Sequence, residues 1–161
     1  MSLTRAYLCL GANVGMPRET LALALATLAR AGLTITARSA LYRTPPWGPV
    51  PQPPYLNQVV AVDCPLDARG LLYLALLVER MLGRDRTREE RFGPRAIDID
   101  ILTFGDARFD DSDLQLPHPR LMERAFALVP LVEIAPELKI AGERAADALA
   151  RLDASAIVKL P

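Results

Sequence analysis

The chain is poor in several residue types, and each scarcity narrows what it can be. Lysine occurs only at Lys139 and Lys159, so 17 of the 19 basic residues are arginine. Cys9 and Cys64 are the only cysteines. They sit in apolar runs without metal-type spacing, which reads as two small buried thiols in a reducing compartment, not a disulfide framework. Net charge is zero, so no global basic field draws the chain to nucleic acid or to an anionic membrane. No stretch approaches the run of about 20 apolar residues that a spanning helix needs. The opening MSLTRAYLCLG is also too short in its apolar part for a signal peptide. A cytoplasmic protein is expected. There is no Walker A sequence, no GxGxxG and no serine in a nucleophile-elbow pattern, which removes the commonest nucleotide and acyl-transfer signatures. No internal repeat or interdomain linker is visible, and 161 residues suffice for one domain, 1–161, with a core of its own.

What is present is unevenly placed. Arg80, Arg84, Arg86, Arg88, Arg91 and Arg95 fall within 16 residues. A guanidinium presents a rigid donor fork that matches phosphate oxygens, so this segment is a candidate anion site. Glu79, Asp85, Glu89 and Glu90 are interspersed, and a solvated, charge-mixed loop is the alternative.

The apolar pattern gives an element order. Ala6 to Leu10 reads as a short buried strand ending at Gly11. Pro17 fits a first helical turn, with Leu21, Leu25 and Leu28 at helical spacing up to Gly32. A second strand spans Thr34 to Tyr42 and a third Tyr55 to Val62. Leu66 to Leu82 reads as an apolar helix stopped by Gly83, and Ala96 to Phe104 as a strand. Helical stretches follow around Met122 to Ile134 and Arg144 to Leu152. The order β-α-β-β-α-β predicts an α+β fold, a ferredoxin-like antiparallel sheet with helices on one face plus a C-terminal helical addition. Such a fold hosts many functions and does not choose among them.

The run RFGPRAIDIDIL carries Asp98 and Asp100 in a strand of isoleucines. Residues two apart on a strand share a face, roughly 6.6 Å apart. Ile97, Ile99 and Ile101 then turn toward the helices, and the two carboxylates project together from the other face. Carboxylates held this close repel and call for positive charge. Arginine could supply it, as could Mg²⁺, which binds through one or two carboxylates plus substrate phosphates. A half-exposed strand with its acids facing water is the alternative. Gly93-Pro94 just upstream forces a turn that delivers Arg95 beside the strand start.

Two further stretches carry chemistry. TPPWGPVPQPPYLN, residues 44–57, holds six prolines between Pro45 and Pro54. Such stiffness lowers the ordering cost of presenting a pocket. Trp47 and Tyr55 supply flat surfaces, and Asn57 both a donor and an acceptor for a heterocycle edge. The alternatives are a passive connection or an SH3-type PxxP ligand, and the position between two core strands argues against the latter. LPHPRLMERAF, residues 116–126, contains His118, the only histidine, between prolines and followed by Arg120 and Arg124. It reads either as structural or as a phosphate contact.

Taken in order, LGANVG, YRTPPWG, YLNQVV, Gly83-Arg84, RFGPRAIDIDIL, LPHPRLMERAF and PLVEIAPEL resemble the 6-hydroxymethyl-7,8-dihydropterin pyrophosphokinase family along nearly the whole chain. The resemblance implies a monomer that uses ATP and two Mg²⁺ ions to move a diphosphoryl group onto a pterin hydroxymethyl, releasing AMP. By motif position it implies Asp98 and Asp100 as metal ligands and Arg84 and Arg95 as the cations that neutralise the transferring group. Glu79, Ile101, His118 and Arg124 would serve ATP. Gly11, Thr44, Pro45, Pro46, Tyr55, Asn57, Phe92 and Phe126 would serve the pterin, with Phe92 coming in from the arginine loop to close the site. Phe92 stands where the family often has tryptophan, and Pro119 where an aromatic hydroxyl is common. The Arg84–Gly93 segment is one residue longer than in some relatives.

Two other readings share parts of this pattern. A sheet of this kind can bind RNA, but that needs exposed aromatics and a basic face, whereas the last strand presents two acids. A two-metal phosphodiesterase would use the same carboxylates without any pterin.

Overall fold

The computed structural model describes residues 2–161. β1 (Thr4–Ala12) lies inside the sheet, with β4 (Tyr55–Cys64) on one side and β5 (Asp98–Phe104) on the other, both antiparallel to it. Between β1 and β4 come α1 (Pro17–Arg30), β2 (Thr34–Arg38) and β3 (Tyr42–Thr44). α2 (Ala68–Met81) joins β4 to β5. Each start has a local cause. Pro17 occupies the first turn of α1 with its φ already set. Asp67 caps α2, its side chain accepting from the Gly70 N–H at 2.7 Å.

The single strand expected over 34–42 is two. β2 pairs with the C-terminal half of β4 and β3 with its N-terminal end. At the break the Ser39 hydroxyl accepts from Val59 N–H at 3.0 Å, taking the place of a ladder carbonyl. The Ser39 carbonyl accepts instead from Gln58 Nε2 at 2.8 Å, and the next N–H, that of Ala40, donates to Glu133 at 3.1 Å. The resulting sheet runs β6 (Val158–Lys159), β3, β4, β1, β5, with β2 also on β4.

The two helices between the strands share one face, and the C-terminal helices, whose side the sequence pattern left open, take the other. Alternation along the strands builds two cores. Leu8 and Leu10 of β1, Val60 and Val62 of β4, and Ile99 and Ile101 of β5 meet Leu21, Leu25 and Leu28 of α1 and Leu71, Ala75 and Val78 of α2. On the reverse face Cys9, Val59 and Leu102 meet Leu128 and Leu131 of α3 (Ala125–Ile134), with Ala145 and Ala148 of α4 (Ala145–Ala150) behind. The C-terminal segment therefore covers the far side of the sheet. The reason lies in Tyr7 and Cys9 of β1 and Val59 of β4, which point to this second face and would otherwise meet water. Each fully buried leucine is worth about 1.5–3 kcal/mol, so an uncovered second face would be costly. A short 3₁₀ turn, Leu121–Glu123, precedes α3 where one continuous helix was expected. Cys9 and Cys64 are free buried thiols in opposite cores.

The cover is incomplete. In register with β5, Cys9 lies opposite Asp100 and Gly11 opposite Asp98. The carboxylates therefore sit on the α3 face, at the end of the sheet that α3 leaves open.

Candidate functional site

At that open end lies a cavity of about 220 Å³. Its walls bring together residues far apart in the chain: Gly11, Thr44, Pro45, Tyr55 and Asn57 on one side, Arg84, Phe92 and Arg95 from the arginine loop, and Asp98, Asp100, Arg124 and Phe126. These are twelve of the sixteen residues singled out in the sequence. Trp47 also lines it, its ring 6.4 Å from that of Phe126. A second cavity of about 380 Å³ lies over the edge of β5. It is lined by Leu72, Leu76, Arg86, Ile101, Asp100 and His118 among others. Asp100 belongs to both. Ile101, at 7% exposure, is mostly core and offers only an edge. Pro46 lines neither cavity. Glu79, 1% exposed, also lines neither.

Asp98 and Asp100 share a face but not an environment. Asp98 accepts from Arg84 Nη1 at 2.9 Å. Among the described residues no hydrogen bond or ion pair reaches the Asp100 carboxylate. Burial first, then the like charge of Asp98, pushes the Asp100 carboxyl well above the usual carboxylate range, with Arg124 pulling the other way. No group of three or more His, Cys, Asp or Glu side chains is placed to hold a metal ion among the described residues.

The arginines are held differently from one another. Arg84, 9% exposed, gives Nη1 to Glu79 at 3.0 Å, Asp98 at 2.9 Å and the Ile97 carbonyl at 3.3 Å. Its Nε and Nη2 fork onto Glu89 at 2.7 and 3.0 Å. Burial alone would lower its pKa, but Glu89, Asp98 and Glu79 more than offset this and raise it. Arg95 lies 3.3 Å from the same Glu89 and is packed into the Gly93-Pro94 turn, its Nη1 donating to the Gly93 carbonyl at 2.8 Å. Arg124 has its guanidinium 5.5 Å from the Phe126 ring centroid, and its Nε is buried without a partner. Buried donors are nearly always paired, so an orphan beside two carboxylates and a cavity marks a place for an anionic group.

The other side of the first cavity is set for a flat polar ligand. Asn57, 4% exposed, donates Nδ2 to the Thr44 hydroxyl at 2.6 Å. This fixes its amide and leaves Oδ1 over Gly11, where a Cβ would come within 2.5 Å of that oxygen. Glycine is thus required by the close approach. The Tyr55 hydroxyl donates to the Gly93 carbonyl at 3.0 Å, tying the wall to the arginine loop. Phe92, at φ 60°, is in the left-handed region that non-glycine residues seldom adopt. Gln52 Nε2 donates to its carbonyl at 2.5 Å.

His118 stays neutral. Burial, then Arg124, lowers its pKa to about 4. Its Nδ1 accepts from Arg120 N–H at 3.2 Å, so the ring proton sits on Nε2.

Sequence reasoning missed Asn13, Gln52 and Glu89. Asn13 joins three segments. It donates to Gln52 and to the Pro53 carbonyl, both at 2.9 Å, and accepts from Arg95 N–H at 2.9 Å. Its place in LGANVG was the available signal. Glu89 looked like one acid in a mixed-charge loop, and nothing in its spacing marked it.

The sequence profile of the 7,8-dihydro-6-hydroxymethylpterin-pyrophosphokinase (HPPK) family matches residues 7–136. The chain is 51% identical over 159 residues to a 2-amino-4-hydroxy-6-hydroxymethyldihydropteridine pyrophosphokinase from Methylorubrum extorquens, covering 98% of this chain and 99% of the relative. It is 38% identical to one of the same name from Pseudomonas aeruginosa, covering 98% and 97%. Among solved structures, a Plasmodium falciparum HPPK-DHPS superposes with a TM-score of 0.73 at 15% identity, over 93% of this chain and 45% of that one. The chain thus spans less than half of that solved chain, and the likeness is one of fold.

Proposed function

Because the chain belongs to the 7,8-dihydro-6-hydroxymethylpterin-pyrophosphokinase family, we propose that it moves the β,γ-diphosphoryl group of ATP to the hydroxymethyl of 6-hydroxymethyl-7,8-dihydropterin, releasing AMP, in folate biosynthesis. The observation that carries this reading is that Asp100 lines both cavities. A heterocycle in the first and a nucleotide in the second would meet at the Asp98–Asp100 pair, with the phosphates between them. The strand order β5, β1, β4, β2 agrees with a split βαβ, ferredoxin-like topology around that site.

In the first cavity Asn57 Oδ1 accepts from an N–H edge of the pterin, and Tyr55 and Phe126 bound its ring. Discrimination by such a group is strong, because a ligand lacking the donor leaves a buried acceptor unpaired. Arg124 gives its orphan Nε to a phosphate oxygen, and Arg95 and Arg84 take up negative charge on the transferring group. His118, neutral, donates Nε2–H to the nucleotide phosphates. Phe92 and the proline loop exclude water, which would otherwise accept the diphosphate. The residues present fit Mg²⁺: two carboxylates on one face of a strand at the cavity wall, one of them lacking any protein donor. Asp98 and Asp100 would hold two ions, which supply charge neutralisation at the phosphoryl oxygens.

The test is the nucleotide product from ATP, Mg²⁺ and the pterin. Pterin-dependent AMP supports the reading, whereas ADP means single-phosphoryl transfer and sinks it. Asp98→Ala and Asp100→Ala should each abolish turnover with circular dichroism unchanged.

A further inference from the structure

We propose that Glu89 is the site's internal anion, a carboxylate that occupies the phosphate-receiving side of Arg84 and Arg95 and exchanges places with the incoming polyphosphate. The inference rests on the functional reading above only in taking a polyphosphate as the ligand.

Glu89 bridges the two arginines through both oxygens. Arg84 forks onto it at 2.7 and 3.0 Å, and Arg95 Nε lies 3.3 Å from Oε1. A bidentate guanidinium–carboxylate pair has the geometry of a guanidinium–phosphate pair, so a phosphate oxygen pair can replace it donor for donor. The remaining acids on Arg84 cannot leave so readily. Glu79 is carried by α2 and also accepts from Ile99 N–H at 2.7 Å within the core. Asp98 is carried by β5. Glu89 alone comes from the loop, just after the 3₁₀ turn Arg86–Arg88, which Asp85 caps by accepting from Thr87.

Charge favours the exchange. Arg84, Arg86, Arg95 and Arg124 stand against Glu79, Glu89, Asp98 and Asp100, an even match that offers a polyanion little attraction. Withdrawing Glu89 leaves one guanidinium unmatched. The same movement would loosen the loop's ties to the proline segment, Gln52 on the Phe92 carbonyl and Tyr55 on the Gly93 carbonyl. Phe92 fills the space where a Gly48 side chain would stand, its Cβ and Cγ within 2.7 Å of that position. Gly48 is next to Trp47, the only tryptophan. Trp47 fluorescence therefore reports whether the loop has moved.

The experiment titrates inorganic tripolyphosphate into the wild type, Glu89→Gln and Glu90→Gln, following heat and Trp47 fluorescence. Glu90 is exposed, and no ion pair of the described residues uses its side chain, so it removes the same charge without touching the arginines. If the wild type spends about nine-tenths of its time latched, Glu89→Gln should bind tripolyphosphate about tenfold tighter. It should also show, before any ligand, the fluorescence change that the wild type shows only on binding. Glu90→Gln should bind as the wild type does. Equal tightening in both variants would reduce the effect to net charge and overturn the proposal, as would unchanged or weaker binding by Glu89→Gln. Pterin-dependent AMP formation is measured separately on the wild type. AMP without tightening in Glu89→Gln removes the latch alone, and tightening without AMP removes the functional reading alone.

Discussion

Glu79 and Asp100 are two acids carried into the protein by neighbouring elements, α2 and β5, and the fold treats them in opposite ways. Glu79 is 1% exposed and answered on every side, by Ile99 N–H at 2.7 Å, Arg84 at 3.0 Å and Arg86 at 2.8 Å. Burial still raises its pKa, but the donors from Ile99 and Arg86 and the charge of Arg84 pull against it. Asp100, partly open to two cavities, receives no donor, and burial together with Asp98 raises its pKa without that compensation. A satisfied buried acid stabilises a structure. An unsatisfied one at a cavity wall makes the folded protein pay until a cation or proton arrives, which is the mark of a site.

The largest effect should come from erasing the unsatisfied member. Asp100→Asn keeps shape and removes charge; loss of one preorganised electrostatic group predicts a fall in kcat on the order of a thousandfold. Because no partner is orphaned, the melting temperature should hold or rise. A drop of several degrees would mean that Asp100 is structural. Glu79→Gln should do the reverse. Breaking a buried ion pair costs about 3 kcal/mol, the low end of the usual range because Arg84 keeps Glu89 and Asp98. That is roughly 6 to 12 °C in a chain of this size, read by calorimetry. An unchanged melting temperature would remove the distinction between the two acids.

The uneven legibility of the chain follows the same line. The DxD strand, the GPR turn and the proline loop could be read because their chemistry is local: alternation sets which side chains share a face, and proline limits the backbone. The second covered face could not be read the same way. Cys9, Val59 and Leu102 are apolar at positions that a one-sided sheet would expose, yet each looks ordinary until α3 lies on it. The break at Ser39 depended on a hydroxyl replacing a ladder carbonyl, a tertiary choice that threonine-rich alternation hides. His118 and Arg124, six residues apart and both expected at phosphates, line different cavities because the 3₁₀ turn Leu121–Glu123 separates them. Glu89 is the clearest case: its partners are set by how the loop folds back, and no spacing announces that.

The contrast between satisfied and unsatisfied groups extends to a neutral side chain. Asn57 has its Nδ2 bound to Thr44 and its Oδ1 turned over Gly11. Gly11→Ala would bring a methyl within 2.5 Å of that oxygen and force the amide aside. Losing one well-placed acceptor predicts pterin binding weakened about tenfold, near 1.4 kcal/mol. Tripolyphosphate binding should be untouched. Equal weakening of both ligands would show a general distortion of the site instead.

The smallest effect is in the pH dependence of stability without metal, where Asp100 and His118 oppose each other. Asp100 has a folded pKa above its unfolded value of about 4. Its contribution is therefore fully present below that pH and is lost as pH rises through the folded pKa. His118 has its folded pKa lowered to about 4. Its contribution is present above its unfolded value of about 6.5 and is lost as pH falls toward 4. The two slopes partly cancel in the wild type, so each variant should uncover the other. Asp100→Asn should gain on the wild type as pH rises from 5 to 8, by about 1 kcal/mol or roughly 2 to 4 °C. His118→Gln should gain on it only as pH falls below about 6.5. Melting curves of the three proteins across that range decide the matter. A gain by Asp100→Asn on the acid side would reverse the sign and place the unsatisfied charge elsewhere.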